Sequence, residues 1–368
     1  MRAFALLLAF LIPAQAPTPK SPSAVSPLPT ASPGDIRREV SVSRIVVDAF
    51  VTDRKGDPIP GLTPSDFRAT IDGVMAEVES AEWIAAAPSS DPSAPSVPSE
   101  SPVVPASEAA GPPELVSPSP APPEGRLIVF FFQTDFTRSR LIGQVRMNHH
   151  AKKYLDTLLP SDRVAVLSFD SHLRRRLDFT RDRERIRTAL FSSLKINDPE
   201  PGAVPDAAMP SLFTHISSAE ARDAASVDRA LELTALALAP LRGPKALLFF
   251  GWGVNVDRTP RAGVDLSNAV NALLQAHVPL FTLDVSDADS HTLQTGLQEL
   301  SAYTGGTYAK TNLFPGQAMD RVRRTLLGRY ELVLVLRDDG SSQSHTLAIE
   351  LVGRKGTVVA REATARGR

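Results

Sequence analysis

Leu127-Ile128-Val129-Phe130-Phe131-Phe132 is an unbroken apolar run bounded by Arg126 and Gln133. It is too short for a buried helix and lacks the polar alternation of a strand with one wet face. Such a run reads as a strand buried on both sides, the mark of a parallel sheet covered by helices on both faces. It leads directly into Gln133-Thr134-Asp135-Phe136-Thr137-Arg138-Ser139, a loop of amide, hydroxyl and carboxylate groups. In a doubly wound sheet the ligand crevice lies beyond the carboxyl ends of the strands, where strand order reverses. This loop is therefore the first place to look for function.

Around this strand, residues 126–328 alternate strand and helix patterns, which predicts an α/β layer structure. Strands are expected at Leu127–Phe132, Val164–Phe169, Leu173–Phe179, Ala246–Phe250, Val278–Val285 and Thr307–Lys310. Helices are expected over Arg140–Leu159, 181–194, 226–239, 263–276, 290–302 and 316–327. In the first helix the spacing puts Leu141, Val145, Leu155 and Leu159 on one face. Asp170-Ser171-His172 is too short a link for anything but a hairpin, so one edge strand should run antiparallel. On it, Arg174-Arg175-Arg176 reads as a solvated edge that discourages pairing with other sheets.

The two ends of the chain have a different texture. Residues 38–84 hold Ile45, Val47, Ala49 and Val51 in alternation, then Phe67–Ile71 and Val74–Trp83 split by Asp72-Gly73. Residues 329–363 hold Tyr330–Leu336, His345–Val352 and Thr357–Arg361. Either β unit is marginal alone, so they are expected to combine into one flanking β-sandwich. Residues 17–37 and 85–125 are rich in Pro, Ser and Ala; with few bulky apolar side chains they read as disordered linkers.

Composition narrows the function classes. Forty Lys and Arg nearly balance 41 Asp and Glu in 368 residues, so bulk charge does not point to nucleic acid or an anionic membrane. Cysteine is absent, which removes disulfides, thiolate nucleophiles and Cys-ligated metals. Met1-Arg2, the apolar run Ala3–Ile12 and Ala14-Gln15-Ala16 have the form of an export signal over residues 1–16. Pro17 is an awkward residue beside that cleavage position. A periplasmic or extracellular protein without a transmembrane anchor is expected.

The antiparallel edge, the polar loop after the first strand and Asp162-Arg163-Val164-Ala165-Val166-Leu167-Ser168-Phe169 together resemble a von Willebrand factor type A (VWFA) domain. Val51-Thr52-Asp53, Gly61-Leu62-Thr63, Asp66-Phe67 and Thr304-Gly305-Gly306-Thr307 are similar to segments of the exported bacterial VWFA-related proteins. The resemblance spans about residues 40–84 and 126–363. It implies a doubly wound, mainly parallel, Rossmann-like sheet and a role in binding rather than catalysis.

It also implies a place for Mg²⁺, held by an Asp-x-Ser-x-Ser loop, a Thr from a second loop and an Asp after the fourth strand. A hard cation suits such oxygen ligands. Here Gln133 stands where the apolar run places the Asp. In a shifted register Asp135, Thr137 and Ser139 follow the pattern, while Gly251-Trp252-Gly253 offers no carboxylate before Asp257. Thr214 and Ser217 are the hydroxyl candidates for the second loop. The competing reading is that Gln133, Thr134 and Thr137 cap the following helix and satisfy loop amides.

Asp135, Asp170, Asp284, Asp287 and Asp289 all follow expected strand ends and form either an acidic rim for Ca²⁺ or a basic partner, or solvated capping groups. Trp252 either presents its ring at the ligand edge or packs against a helix. Catalytic motifs are weak. Asp170-Ser171-His172 is adjacent in sequence without being a triad, and Gly-x-Ser-x-Gly is absent. His149-His150 has no partner at zinc spacing, and Gly251-Trp252-Gly253 lacks the rest of a phosphate loop.

The expectation is an exported, non-enzymatic module that binds a protein partner through Asp135, Thr137, Ser139, Asp170, Trp252 and Asp284. It would use a degenerate metal site and no cofactor, with Mg²⁺ or Ca²⁺ at Asp135, Thr137 and Ser139 left open. The alternatives are a structural cell-envelope component and a Mg²⁺- or Ca²⁺-dependent adhesion domain.

Overall fold

The computed structural model describes residues 41–86, 125–134, 137–195, 210–254, 260–288, 290–338 and 346–361. The expected export signal, the tract 17–37, most of 85–125, Asp135, Asp257 and Asp289 lie outside them. In chain order the elements are β1 (Ser41–Thr52), β2 (Phe67–Ile71), β3 (Val74–Ala85), β4 (Leu127–Gln133), α1 (Arg138–Leu155), β5 (Arg163–Phe169) and β6 (Leu173–Thr180). There follow α2 (Arg183–Ser192), α3 (Ser218–Asp223), α4 (Val227–Leu238), β7 (Lys245–Gly251), α5 (Pro260–Gln275), β8 (Leu280–Asp284) and α6 (Gln294–Thr304). The last are β9 (Tyr308–Lys310), α7 (Pro315–Thr325), β10 (Gly328–Asp338), β11 (Leu347–Leu351) and β12 (Thr357–Ala360).

β4 is buried along its whole length because it lies inside a six-stranded sheet of order β6-β5-β4-β7-β8-β9. Every pairing is parallel except β5 with β6, the antiparallel edge expected from the short hairpin link. Period-two alternation sends Leu127, Val129 and Phe131 into a core shared with α4, α5 and α6. Ile128, Phe130 and Phe132 go to the opposite face, against residues of α1, α2 and α7. There Phe132 stacks on Phe250 of β7 with ring centroids 4.5 Å apart.

The inward face of α1 differs from the expected one. Val145 is exposed, Leu141 and Leu159 are half-buried, and the buried residues of α1 are Gly143, Gln144, Met147, Asn148, Ala151, Tyr154 and Leu155. Gln144 and Asn148 can face inward because each finds backbone carbonyls there: Asn148 donates to Leu190 O and Gln144 to two strand ends. A Cβ at Gly143 would stand 1.9 Å from Val285 O, so only glycine lets the helix approach this closely. The expected solvated edge is likewise corrected. Arg176 is buried, donating to Ser168 Oγ and Lys195 O, while Arg175 reaches Ile216 O and Arg174 pairs with Asp170.

The strands from the two chain ends do join, in the order β11-β2-β3-β10-β1-β12 with antiparallel pairing throughout. The two halves of this expected flanking β unit share β3. Its residues Val74–Ala76 pair with β2 and Glu77–Ala85 with β10, with a register irregularity near Val333/Leu334. A single core fills this sheet, centred on Tyr330, whose hydroxyl accepts from Leu62 N–H and donates to Ile59 O. Asp72 and Gly73 turn β2 into β3 with φ of 52° and 79°, the positive values a tight primed turn needs.

An aromatic contact ties this sheet to the α/β layers. Phe50 of β1 meets Phe281 of β8 edge-on at 6.0 Å. Arg126, just before β4, forms a two-pronged pair with Asp162 at 2.9 and 2.5 Å and donates to Leu326 O at the end of α7. Asp162 also accepts Leu159 N–H, so one buried carboxylate organises the turn between α1 and β5. Burial disfavours the Arg126 cation, but the bonds to Asp162 outweigh it and its pKa rises. Breaking such a pair strands a buried charge, so Arg126→Met should cost about 3–5 kcal/mol. The double change Arg126→Met with Asp162→Leu should recover part of that loss in urea unfolding; simple additivity of the single losses would refute this coupling.

Candidate functional site

Chain connections leave β4 toward β5 on one side, whereas β7 and β8 lie on the other, so strand order reverses between β4 and β7. The crevice expected from the sequence is therefore bounded by Gln133 and by Gly251-Trp252. Two glutamines fill it. The Gln133 side-chain carbonyl accepts the N–H groups of Trp252 at 2.9 Å and Gly253 at 3.2 Å. From α1, the Gln144 amide donates to Gln133 O at 2.5 Å and Phe250 O at 2.9 Å. A Cβ on Gly251 would lie 2.7 Å from Gln133 Oε1 and closer still to the Phe249 ring, so glycine is required beside this bridge.

The neighbouring polar residues are also engaged. Thr134 is buried, donating its hydroxyl to Ser193 O and its N–H to Phe169 O. Thr137 is exposed at the start of α1 without making a side-chain cap, contrary to the capping expectation, and Ser139 is half-buried. Thr214 donates to Ser211 O, and Ser217 caps α3 through Glu220 N–H.

Asp284 was expected to meet a partner and is instead completely buried at the end of β8. One of its oxygens accepts from Ser286 N–H and Oγ; the other meets His291 Nε2 at 2.9 Å and the Tyr308 hydroxyl at 2.8 Å. Burial, reinforced by the adjacent carboxylate, pushes the Tyr308 phenol well above its usual range. Asp284 thus ties the loop between β8 and α6 to β9. Asp287, next along, is exposed.

Asp170 accepts Ser171 N–H and Oγ and pairs with Arg174 at 3.2 Å. Burial alone would raise its pKa, but the bonds from Ser171 and Arg174 prevail and lower it. Ser171 Oγ stands between Asp170 and His172 Nδ1, at 3.0 Å from each. A triad needs the imidazole in that central position, so this order does not activate the serine.

Trp252 is half-buried. Its ring packs against the core shared with α1, while the Arg140 guanidinium lies over its face at 3.7 Å. Arg140, Gln144, His291 and Tyr308 were not singled out from sequence. A signal existed for Gln144 alone: a polar residue at helical spacing from Met147 and Ala151. Among the described residues no three His, Asp or Glu side chains converge as a metal cluster, and no helix is long and apolar enough to cross a membrane.

No protein-family model and no curated protein sequence matches the chain. Among solved structures, it is similar to the PilB minor pilin from Streptococcus sanguinis at 8% identity and TM-score 0.35, over 57% of this chain and 64% of the pilin. BatB from Bacteroides thetaiotaomicron aligns at 14% identity and TM-score 0.35, over 55% of this chain and 98% of BatB. Proximal thread matrix protein 1 from the mussel byssus, with a zinc-occupied MIDAS motif, aligns at 12% and 0.39, over 56% and 46%. The chain thus spans less than two thirds of the pilin and less than half of the byssus protein.

Replacing Gln133 by Leu should cost about 1–3 kcal/mol in urea unfolding, because the Trp252 and Gly253 amides lose their acceptor; an unchanged midpoint would show the bridge to be dispensable. Asp170 has its folded pKa below its unfolded value of about 3.9. Its contribution is thus present above that pH and lost as pH falls through the folded pKa. Asp170→Asn should lower the thermal midpoint at pH 7 and converge with wild type in acid; a constant difference across pH would contradict this.

Proposed function

We propose that the chain is an exported, non-catalytic protein-binding module that uses the carboxyl edge of a VWFA-like sheet with a degenerate metal site. The single observation that carries this reading is the Gln133 bridge: the side chain at the strand end is spent on the Trp252 and Gly253 amides. A neutral amide serving as an internal brace offers poor support to a divalent cation, which needs charged oxygen ligands at the strand ends. Asp284 supports the same reading, because its carboxylate is committed to Ser286, His291 and Tyr308.

At this edge Trp252 and Arg140 form a stacked, half-buried pair, while Thr137 and Asp287, on loops that also follow strand ends, are exposed and Ser139 is half-buried. Trp and Arg are the residue types that dominate binding energy when a partner covers them. The partner is therefore a protein that covers this pair. Asp170 contributes by shaping the hairpin beside it through Ser171 and Arg174.

The test is capture from a cell-envelope extract by the full chain and by the Arg140→Ala/Trp252→Ala double variant, each with and without EDTA. Capture should be lost in the double variant by at least about thirtyfold, equivalent to about 2 kcal/mol, and be indifferent to EDTA. Full capture by a folded double variant would remove this edge as the binding surface. Capture abolished by EDTA would replace the metal-free reading with the metal-dependent adhesion alternative, through Asp135, Thr137 and Ser139.

A further inference from the structure

The opposite end of the parallel sheet holds a cavity of about 420 Å³. It opens where β4, β7 and β8 begin, and its far wall is β1, the start of β10 and the residue after β12. Its size falls in the range of small-molecule sites, roughly 300–1,000 Å³. Phe50 and Leu326 give it an apolar floor.

Its charges do not balance. Arg126 is neutralised by Asp162, and Arg329 by Asp48 at 2.8 Å. With Asp48 counted against Arg329, although it also acts on Arg361, the described lining residues Arg242, Lys245 and Arg361 stand against Glu331, an excess of two positive charges. Lys245 and Arg361 are held in place by carbonyls rather than carboxylates: Lys245 Nζ lies 3.3 Å from Ala276 O, and Arg361 donates to Val46 O at 3.0 Å. Positive groups taken from water without counter-charges favour an anion that supplies them. Burial lowers the pKa of Lys245; burial also lowers that of Arg361, against the Asp48 carboxylate that raises it and with Arg329 adding to the fall.

We infer that this cavity binds a small organic dianion, of the phosphate-monoester or dicarboxylate type, between Arg242, Lys245 and Arg361. Two oxyanion charges match the excess, a guanidinium presents paired donors to such oxygens, and the apolar floor accommodates a short carbon skeleton. This site lies at the amino ends of the strands and is independent of the partner edge proposed above.

Isothermal titration of the full chain with inorganic phosphate and with succinate, at constant ionic strength set by chloride, tests the inference and separates the two oxyanion types. One-to-one saturable binding of at least one probe is expected. Arg242→Ala should weaken it about tenfold, Lys245→Gln at least as much, and Glu331→Gln should strengthen it by removing repulsion. Arg242 is exposed, so its replacement decides the matter even if the Lys245 variant fails to fold. Absence of binding by both probes, or affinity unchanged in folded Arg242→Ala, would overturn the inference.

Discussion

The burial of β4 on both faces is the constraint from which the other layers follow. A strand with no exposed side chain must pair on both edges, which β5 and β7 provide, and be covered on both faces, which α1, α2 and α7 do on one side and α4, α5 and α6 on the other. Because its neighbours are reached in opposite directions along the sheet, the crevice opens at its carboxyl end. Arg126 anchors the start of the strand and Gln133 its end, so both termini are tied by polar groups to elements distant in sequence.

These two ends have opposite chemistry. At the carboxyl edge the side chains satisfy one another: two glutamines close the crevice, Asp284 is enclosed by Ser286, His291 and Tyr308, and Asp170 holds its own hairpin. Beside them lies the half-buried Trp252 ring under the Arg140 guanidinium. At the amino edge the described side chains around a cavity between the parallel sheet and the antiparallel one carry an excess of positive charge. The proposed partner surface rests on the first arrangement and the proposed anion site on the second.

Much of this architecture was legible in residue patterns. The strands, the hairpins and the antiparallel edge followed from apolar runs, Asp72-Gly73 and the brevity of Asp170–His172, because these signals act within a few residues. The inward face of α1 was misread because Gln144 and Asn148 look solvated by type; their burial depends on carbonyls of Gln133, Leu190 and Phe250 that no local pattern reveals. Arg176 was misread for the same reason: its acceptors are Ser168 and Lys195. Asp284 looked like a rim carboxylate by position, and only the folding of Ser286 and His291 of the following loop and Tyr308 of β9 around it turns it inward.

Residue pattern was enough to set the element order, the buried central strand and the position of the loop edge, since period, length and turn chemistry are local properties of the chain. The tasks of the polar residues were assigned by packing. Whether a Gln braces a crevice or an Arg anchors the start of a strand depends on groups 11 to 200 positions away, brought within hydrogen-bonding distance by the packing of the sheets. The charge excess at the amino edge is likewise invisible in a chain whose total charge is close to zero, because it arises from which residues fold together and not from how many there are.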